Sequence, residues 1–308
     1  MKVDLHLHID GSFRIDTLYD LALSKGIIKD ISINEFTALV SVDNSCDSLN
    51  TYLSKFDIPL QVIQGSDVIY RITYELIEDL YRSGVKVAEL RFASATVKGS
   101  NTQEEVVKTA IKALNDATKL YPIKAGIILC AMRGISDEEN LETLRLAKAY
   151  LDKGIVAFDL AGAEAIYPNQ DYVWLFAKAN ELQVPLTIHA GEAAGRESIE
   201  AAINNNAKRL GHGIRIVDYP DLMEIVKNKG IVLEICPLSE HHTKAIDEFK
   251  LRELYNYGLK LTINTDNMSI SSTNLDKEYE FLKQNYGFKD EEIEIMQQNA
   301  LDASFIKE

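Results

Sequence analysis

Four short segments, far apart in the chain, each end an apolar strand-like run on a residue that binds metal or moves protons. They are Asp4-Leu5-His6-Leu7-His8, His189-Ala190-Gly191-Glu192, Gly211-His212-Gly213 and Thr265-Asp266-Asn267, and together they hold four of the six histidines. Residues so distant can share one site only where a fold gathers strand ends. The (β/α)8 barrel does this at the C-terminal face of its strands.

The hydrophobic pattern supports that fold. Eight runs, at 3–9, 86–92, 124–132, 156–161, 185–189, 209–213, 231–236 and 261–265, are dense in Val, Ile and Leu. Continuous apolar runs suit parallel strands covered on both faces. Helical patterns lie between them. Ile69, Ile72, Leu76 and Leu80 form one stripe of a helix over 66–83, with Gly84 as its stop. Thr102-x-x-Glu105 and Ser136-x-x-Glu139 read as capping boxes. Tyr121-Pro122 ends the first of these helices and Gly154 the second; Pro220 opens another that closes at Lys229-Gly230. The expected fold class is α/β, a (β/α)8 TIM barrel occupying residues 1–308 as a single domain. Residues 10–85 are too many for one connection and predict a helical insert after strand one. Its Leu49, Tyr52, Leu53 and Phe56 form an apolar stripe ended by Pro59, which reads as core or as the wall of a lid.

Composition narrows the partners. A net charge of −14 disfavours nucleic acid and anionic membrane. The three cysteines, Cys46, Cys130 and Cys236, are odd in number and lack a Cys-x-x-Cys, which argues against a disulfide framework. Cys130 and Cys236 sit in apolar strands as inert thiols. No apolar run reaches membrane-spanning length, and the chain enters a strand at once, with no signal-peptide pattern. The expectation is a cytoplasmic protein; the sequence is silent on oligomeric state.

The site residues carry the chemistry. His6 and His8 are two apart on a strand and so share a face, which at the first barrel strand is the interior. Two unpartnered imidazoles there would be costly to bury, and a shared divalent metal removes the cost. His189 and Asp266, at the ends of strands five and eight, complete a set of three imidazoles and one carboxylate. That set suits one Zn²⁺ with an open position, and Fe²⁺ or Mn²⁺ would accept it too. Strand four ends in Asp159-Leu160-Ala161-Gly162 with no lysine to bridge a second metal. Bound Zn²⁺ lowers the pKa of its water to about 7. Attack also needs an acid and a base. Glu192, three residues after His189, can protonate a substrate ring nitrogen. His212, between two glycines, can orient the nucleophile or take its proton. The bland readings are a solvated loop glutamate, a satisfied strand-end histidine, and a simple turn at Gly162.

The ordered set Lys2-Val3-Asp4-Leu5-His6-Leu7-His8-Ile9-Asp10-Gly11-Ser12, Asp159-Leu160-Ala161-Gly162, His189-Ala190-Gly191-Glu192, Arg209-Leu210-Gly211-His212-Gly213, Ile235-Cys236-Pro237-Leu238-Ser239 and Asn264-Thr265-Asp266 resembles the adenosine deaminase family of metal-dependent aminohydrolases. The resemblance runs from residue 2 to about 280. It implies that His6, His8, His189 and Asp266 bind zinc, that Glu192 protonates the purine at N1, and that His212 and Asp266 position the nucleophile. It implies that Gly162 donates its N–H to N3 and that Asp10 contacts the ribose. Adenine-specific relatives tend to carry Glu at this last position, so Asp10 leans toward a purine nucleoside as the small-molecule partner. Leu49-x-x-Tyr52-Leu53-x-x-Phe56 resembles the family's substrate-covering helix, which favours the lid. The chain lacks the His-x-Glu…Pro-Cys-x-x-Cys signature of the other zinc deaminases.

Three positions depart from the family pattern. Asn267-Met268 stands where a second Asp and a Pro are usual; the Asn amide can still donate to N7. Glu240, followed by His241-His242, replaces an Asn and reads as a solvated loop residue or as a carboxylate at the mouth. Ala163-Glu164 replaces Asp-Glu, with no consequence readable from sequence. The first expectation is hydrolysis of adenosine, and of 2′-deoxyadenosine, to inosine and ammonia. The alternatives are a deaminase of adenine or an N6-substituted aminopurine, and a non-catalytic purine-binding homologue.

Overall fold

The computed structural model describes residues 1–43, 46, 48–244 and 250–307, with the side chains of Leu49 and Asn50 outside the described set. Eight strands occur in chain order: β1 Lys2–His8, β2 Val85–Phe92, β3 Lys124–Met132, β4 Ile155–Ala161, β5 Thr187–His189, β6 Arg209–Gly211, β7 Val232–Ile235 and β8 Lys260–Ile263. Every neighbouring pair is parallel, in two arcs ordered β1-β2-β3-β4 and β5-β6-β7-β8. The arcs join at both seams. Phe158 bridges Leu186 on one side and Leu7 bridges Asp266 on the other. At the second seam His8 N–H donates to Asp266 O at 2.7 Å and Asp266 N–H to His6 O at 2.8 Å. Two of the expected site segments are thereby hydrogen-bonded to each other through the backbone.

Five helices fill the first connection: α1 Ile15–Ser24, α2 Ile33–Val40, α3 Leu49–Ser54, α4 Asp57–Val62 and α5 Ser66–Arg82. α6 Ser94–Val97 and α7 Gln103–Leu120 follow β2, α8 Asp137–Ala149 follows β3, and α9 Val173–Glu181 follows β4. α10 Arg196–Asn204 and α11 Pro220–Lys229 follow β5 and β6. α12 Pro237–Thr243 and α13 Leu251–Tyr257 follow β7, and α14 Leu275–Tyr286 and α15 Asp290–Ala303 follow β8. Among the described residues no helix is long and apolar enough to cross a membrane.

Three local expectations are corrected. Thr102 makes the full reciprocal capping box with Glu105, but Ser136 only accepts from Glu139 N–H, without the return bond. α8 stops at Ala149, and Gly154, at φ +115°, instead turns the chain into β4. Pro59 does not end the insert stripe. It lies at the third position of α4, in the first turn, where its missing N–H costs nothing.

The barrel interior is charged. Glu89, Arg91, Asp159, Arg209 and Glu234 are each fully buried. Arg91 donates to Asp159 (2.8 Å), Glu234 (2.9 Å) and the Leu5 carbonyl (2.7 Å). Arg209 donates to Glu234 and Glu89. Glu89 also accepts from Ser304 Oγ, and Arg209 lies 4.0 Å from the Phe305 ring, so the segment after α15 seals this end of the barrel. Unpaired buried charges cost several kcal/mol each, so this pairing, which leaves only Arg91 Nε of the network's side-chain atoms among the described residues without a hydrogen-bond partner, holds its members in fixed places.

Candidate active site

At the C-terminal ends of the strands, imidazoles crowd together. The His6 ring centroid lies 5.3 Å from that of His8, 4.6 Å from His189 and 5.0 Å from His212. The residue just before His212 is small and closely packed: a Cβ on Gly211 would come within 3.1 Å of His6 Cε1 and of His189 Cα. Asp266 Oδ1 lies 3.4 Å from both His6 Nε2 and His8 Nε2. Two sets of ligand atoms fall within metal-sharing distance, His6–His8–Asp266 and His6–His189–His212.

This donor set fits a divalent cation. His6 Nε2 is buried without a hydrogen-bond partner, which a metal would supply. The opposite nitrogens are already committed. His6 Nδ1 meets Glu234 at 2.8 Å, and His189 Nδ1 meets Asp159 at 2.9 Å. Carboxylates behind ligating histidines fix the tautomer and aim the free nitrogen. Arg91 bridges both carboxylates, so the charged barrel core is also the support of the site. Burial lowers His8 well below its usual range, keeping it a neutral donor. Burial alone would raise Asp266, but the His6 and His8 imidazoles beside its carboxylate hold it well below the usual carboxylate range.

The loop after β5 carries Glu192, whose side chain is 19% exposed and whose Oε2 is 3.7 Å from His212 Nε2. Its backbone is clamped. Glu164 accepts from the N–H groups of Gly191 (2.8 Å), Glu192 (3.0 Å), Ala193 (2.9 Å) and Ala194 (3.0 Å), and from Ser198 Oγ (2.6 Å). Arg215 Nε donates to the Glu192 carbonyl at 2.9 Å.

His212 has φ +60° and Asp266 has φ +56°. The left-handed region costs roughly 1–2 kcal/mol for such residues, a cost met by over-determined surroundings. Burial would lower the His212 imidazole, but Glu192's charge and the Glu240 hydrogen bond prevail and push it up to about 10 in metal-free protein. A divalent cation among the neighbouring rings acts against that rise.

The expected substrate-side residues divide. Asp10 is buried, its Oδ1 has no hydrogen-bond partner and lies 3.9 Å from His8 Nδ1, and burial raises its carboxyl to about 6. Gly162 is exposed at the end of β4 with φ +100°, and a Cβ there would lie 2.7 Å from Met132 Sδ. Tyr52 is 3% exposed; its hydroxyl bonds Ser271 (2.9 Å), accepts from Asn267 Nδ2 (3.2 Å) and approaches Ser239 Oγ (3.4 Å). Ser239 in turn donates to Asp266 at 2.6 Å. The expected stripe is split. Phe56 is half-buried beside Tyr52, whereas Leu53 is 46% exposed, because the short α3 turns only one edge inward. Glu240 is not solvated: it is 3% exposed and contacts His212 Nδ1.

A family model described as adenosine deaminase matches residues 1–308. The chain belongs to the adenosine deaminase family. A curated adenosine deaminase of Clostridium botulinum is 40% identical over 312 residues, covering 99% of this chain and 92% of that one. The solved structure of an adenine deaminase from Arthrobacter aurescens superposes with TM-score 0.89 at 24% identity, covering 99% and 94% of the two chains. An Arabidopsis N6-mAMP deaminase superposes at 0.87 with 25% identity, over 99% and 93%.

As a member of the adenosine deaminase family, this chain has the family's (β/α)8 fold, and behind the clustered histidines stand residues to which sequence reasoning assigned no role: Asp159, Glu164 and Ser239, named only within motifs, and Arg91 and Glu234. A lone acid inside an apolar strand, as in Val232-Leu233-Glu234-Ile235, is a signal that would have found Glu234, since such a group is buried only with a partner. Glu164 had no such signal.

Proposed function

We propose that this chain is a metal-dependent hydrolase that converts adenosine, and 2′-deoxyadenosine, to inosine and ammonia. The observation that carries the reading is the pair of clusters His6–His8–Asp266 and His6–His189–His212, which share His6, with Glu192 Oε2 3.7 Å from His212 Nε2. The 40% identity to an adenosine deaminase supports the same substrate. His6, His8, His189 and Asp266 would hold one divalent ion; three imidazoles and a carboxylate suit Zn²⁺, and Fe²⁺ or Mn²⁺ would also be accepted. When bound, the ion supplies Lewis acidity and lowers the pKa of a nearby water to about 7.

The protein's own groups do the rest. Glu192 gives a proton to purine N1, so that the ring accepts charge as water adds at C6. His212 takes the proton released by that water and Asp266 orients it. His212 then returns that proton to the amino nitrogen, which leaves as ammonia, while the C6 hydroxyl proton passes to the Glu192 carboxylate and the C6 oxygen remains as a carbonyl. Gly162 N–H would meet N3, Asp10 the ribose, and Asn267 N7. The helical insert over residues 10–85 covers the mouth, with Tyr52 and Phe56 as its inner wall.

Rapid, chelator-sensitive loss of adenosine absorbance in zinc-reconstituted protein is the expected result. A higher kcat/KM for adenine or N6-methyladenosine would move the reading to another aminopurine. Adenosine binding without ammonia release would make the chain a binding protein.

Glu164 positions this chemistry through Glu192. Glu164→Gln replaces one acceptor oxygen by a donor facing backbone N–H groups. We expect kcat to fall about 10²-fold, the scale of a small misplacement of a reacting group. Steady-state kinetics, with metal content measured alongside, would check it; an unchanged kcat removes the role.

A further inference from the structure

His212 makes contacts through both ring nitrogens, and only one of them faces the reaction. Nε2 points to the site, 3.7 Å from Glu192 Oε2 and near the His6 and His189 nitrogens. Nδ1 points away, 3.2 Å from Glu240 Oε1. Glu240 lies on α12, where the same Oε1 accepts from Cys236 N–H at 3.1 Å. The backbone bond holds that oxygen in place, and its second oxygen, Oε2, is buried without a partner. Burial pushes the Glu240 carboxyl up. Oε1 is an acceptor whether or not Oε2 carries a proton.

An acceptor at Nδ1 has one consequence. In the neutral ring the hydrogen then sits on Nδ1, which leaves the Nε2 lone pair free toward the site. A base that takes a proton from water needs that lone pair. The backbone does not secure this by itself, since His212 stands in the left-handed region with Gly213 beside it, also at positive φ. The family's usual Asn at this position is one methylene shorter than Glu240.

We propose that Glu240 is a positioning residue for His212: it fixes the Nδ1–H tautomer and the ring orientation, so that Nε2 is the proton acceptor. The proposal rests on the deaminase reading for its catalytic meaning, but the tautomer itself does not.

Long-range ¹H–¹⁵N spectra of zinc-loaded protein labelled at histidine would test it, with His212 assigned by its loss in His212→Asn. The wild type should show His212 protonated at Nδ1. Glu240→Leu should shift it to Nε2–H and lower kcat for adenosine by about 10–100-fold, the usual cost of losing such a supporting partner. KM, zinc content and melting temperature should hold. Glu240→Gln, whose amide oxygen can keep both contacts, should retain the Nδ1–H tautomer and most of kcat. An Nε2–H tautomer in the wild type would overturn the proposal. So would a Glu240→Leu enzyme with wild-type kcat. If Glu240→Leu fails to fold, the wild-type and Glu240→Gln spectra still decide. A wild type that shows the tautomer but does not release ammonia from adenosine would sink the deaminase reading and leave the Glu240 role standing.

Discussion

Glu192→Gln will lower kcat for adenosine by about 10²–10⁴-fold, the range for one acid/base group. The carboxamide keeps the size of the side chain but has no proton to give to N1. The loop should stay in place, because Glu164 and Arg215 hold it by its backbone and not by the Glu192 side chain. Metal content and melting temperature should therefore match the wild type, and KM should move far less than kcat. Equal kcat in the two enzymes would take the acid role away from Glu192.

Removal of the divalent metal will abolish turnover and lower the melting temperature. Without the ion, His6 Nε2 is left as a buried polar atom with no partner, and three more imidazoles crowd round it. A ligand that binds only the native state stabilises it by about 4 kcal/mol at a thousand times its dissociation constant. Calorimetry of chelated and reconstituted protein, with the adenosine assay on the same samples, would check both effects. Full activity in protein shown by metal analysis to hold no ion would remove the metal from the reaction.

The strands were legible because parallel barrel strands are covered on both faces and so are dense in Val, Ile and Leu even where charges line the interior, and predicted and observed ends differ by two residues or fewer. The insert was less legible. α3 and α4 are six residues each, too short to be stable by propensity, and packing sets where they break. Pro59 looked like a terminator because sequence alone does not show that a new helix has just begun.

Of the site, residue identity and strand parity determined the metal-type set. His6 and His8 must share a face, and His189, His212 and Asp266 must lie at strand ends, whatever surrounds them. Only the tertiary structure decided which groups stand behind them. Asp159 and Glu234 meet histidines on other strands and are bridged by Arg91 of β2. Glu164 reaches the Glu192 loop from the connection after β4, and Glu240 turns inward to His212 instead of out to water. Tyr52 faces Asn267 while its neighbour Leu53 faces solvent. The reason is physical. Periodicity records which face of one element is buried, whereas a hydrogen bond between elements depends on how the closed barrel brings them to within about 3 Å.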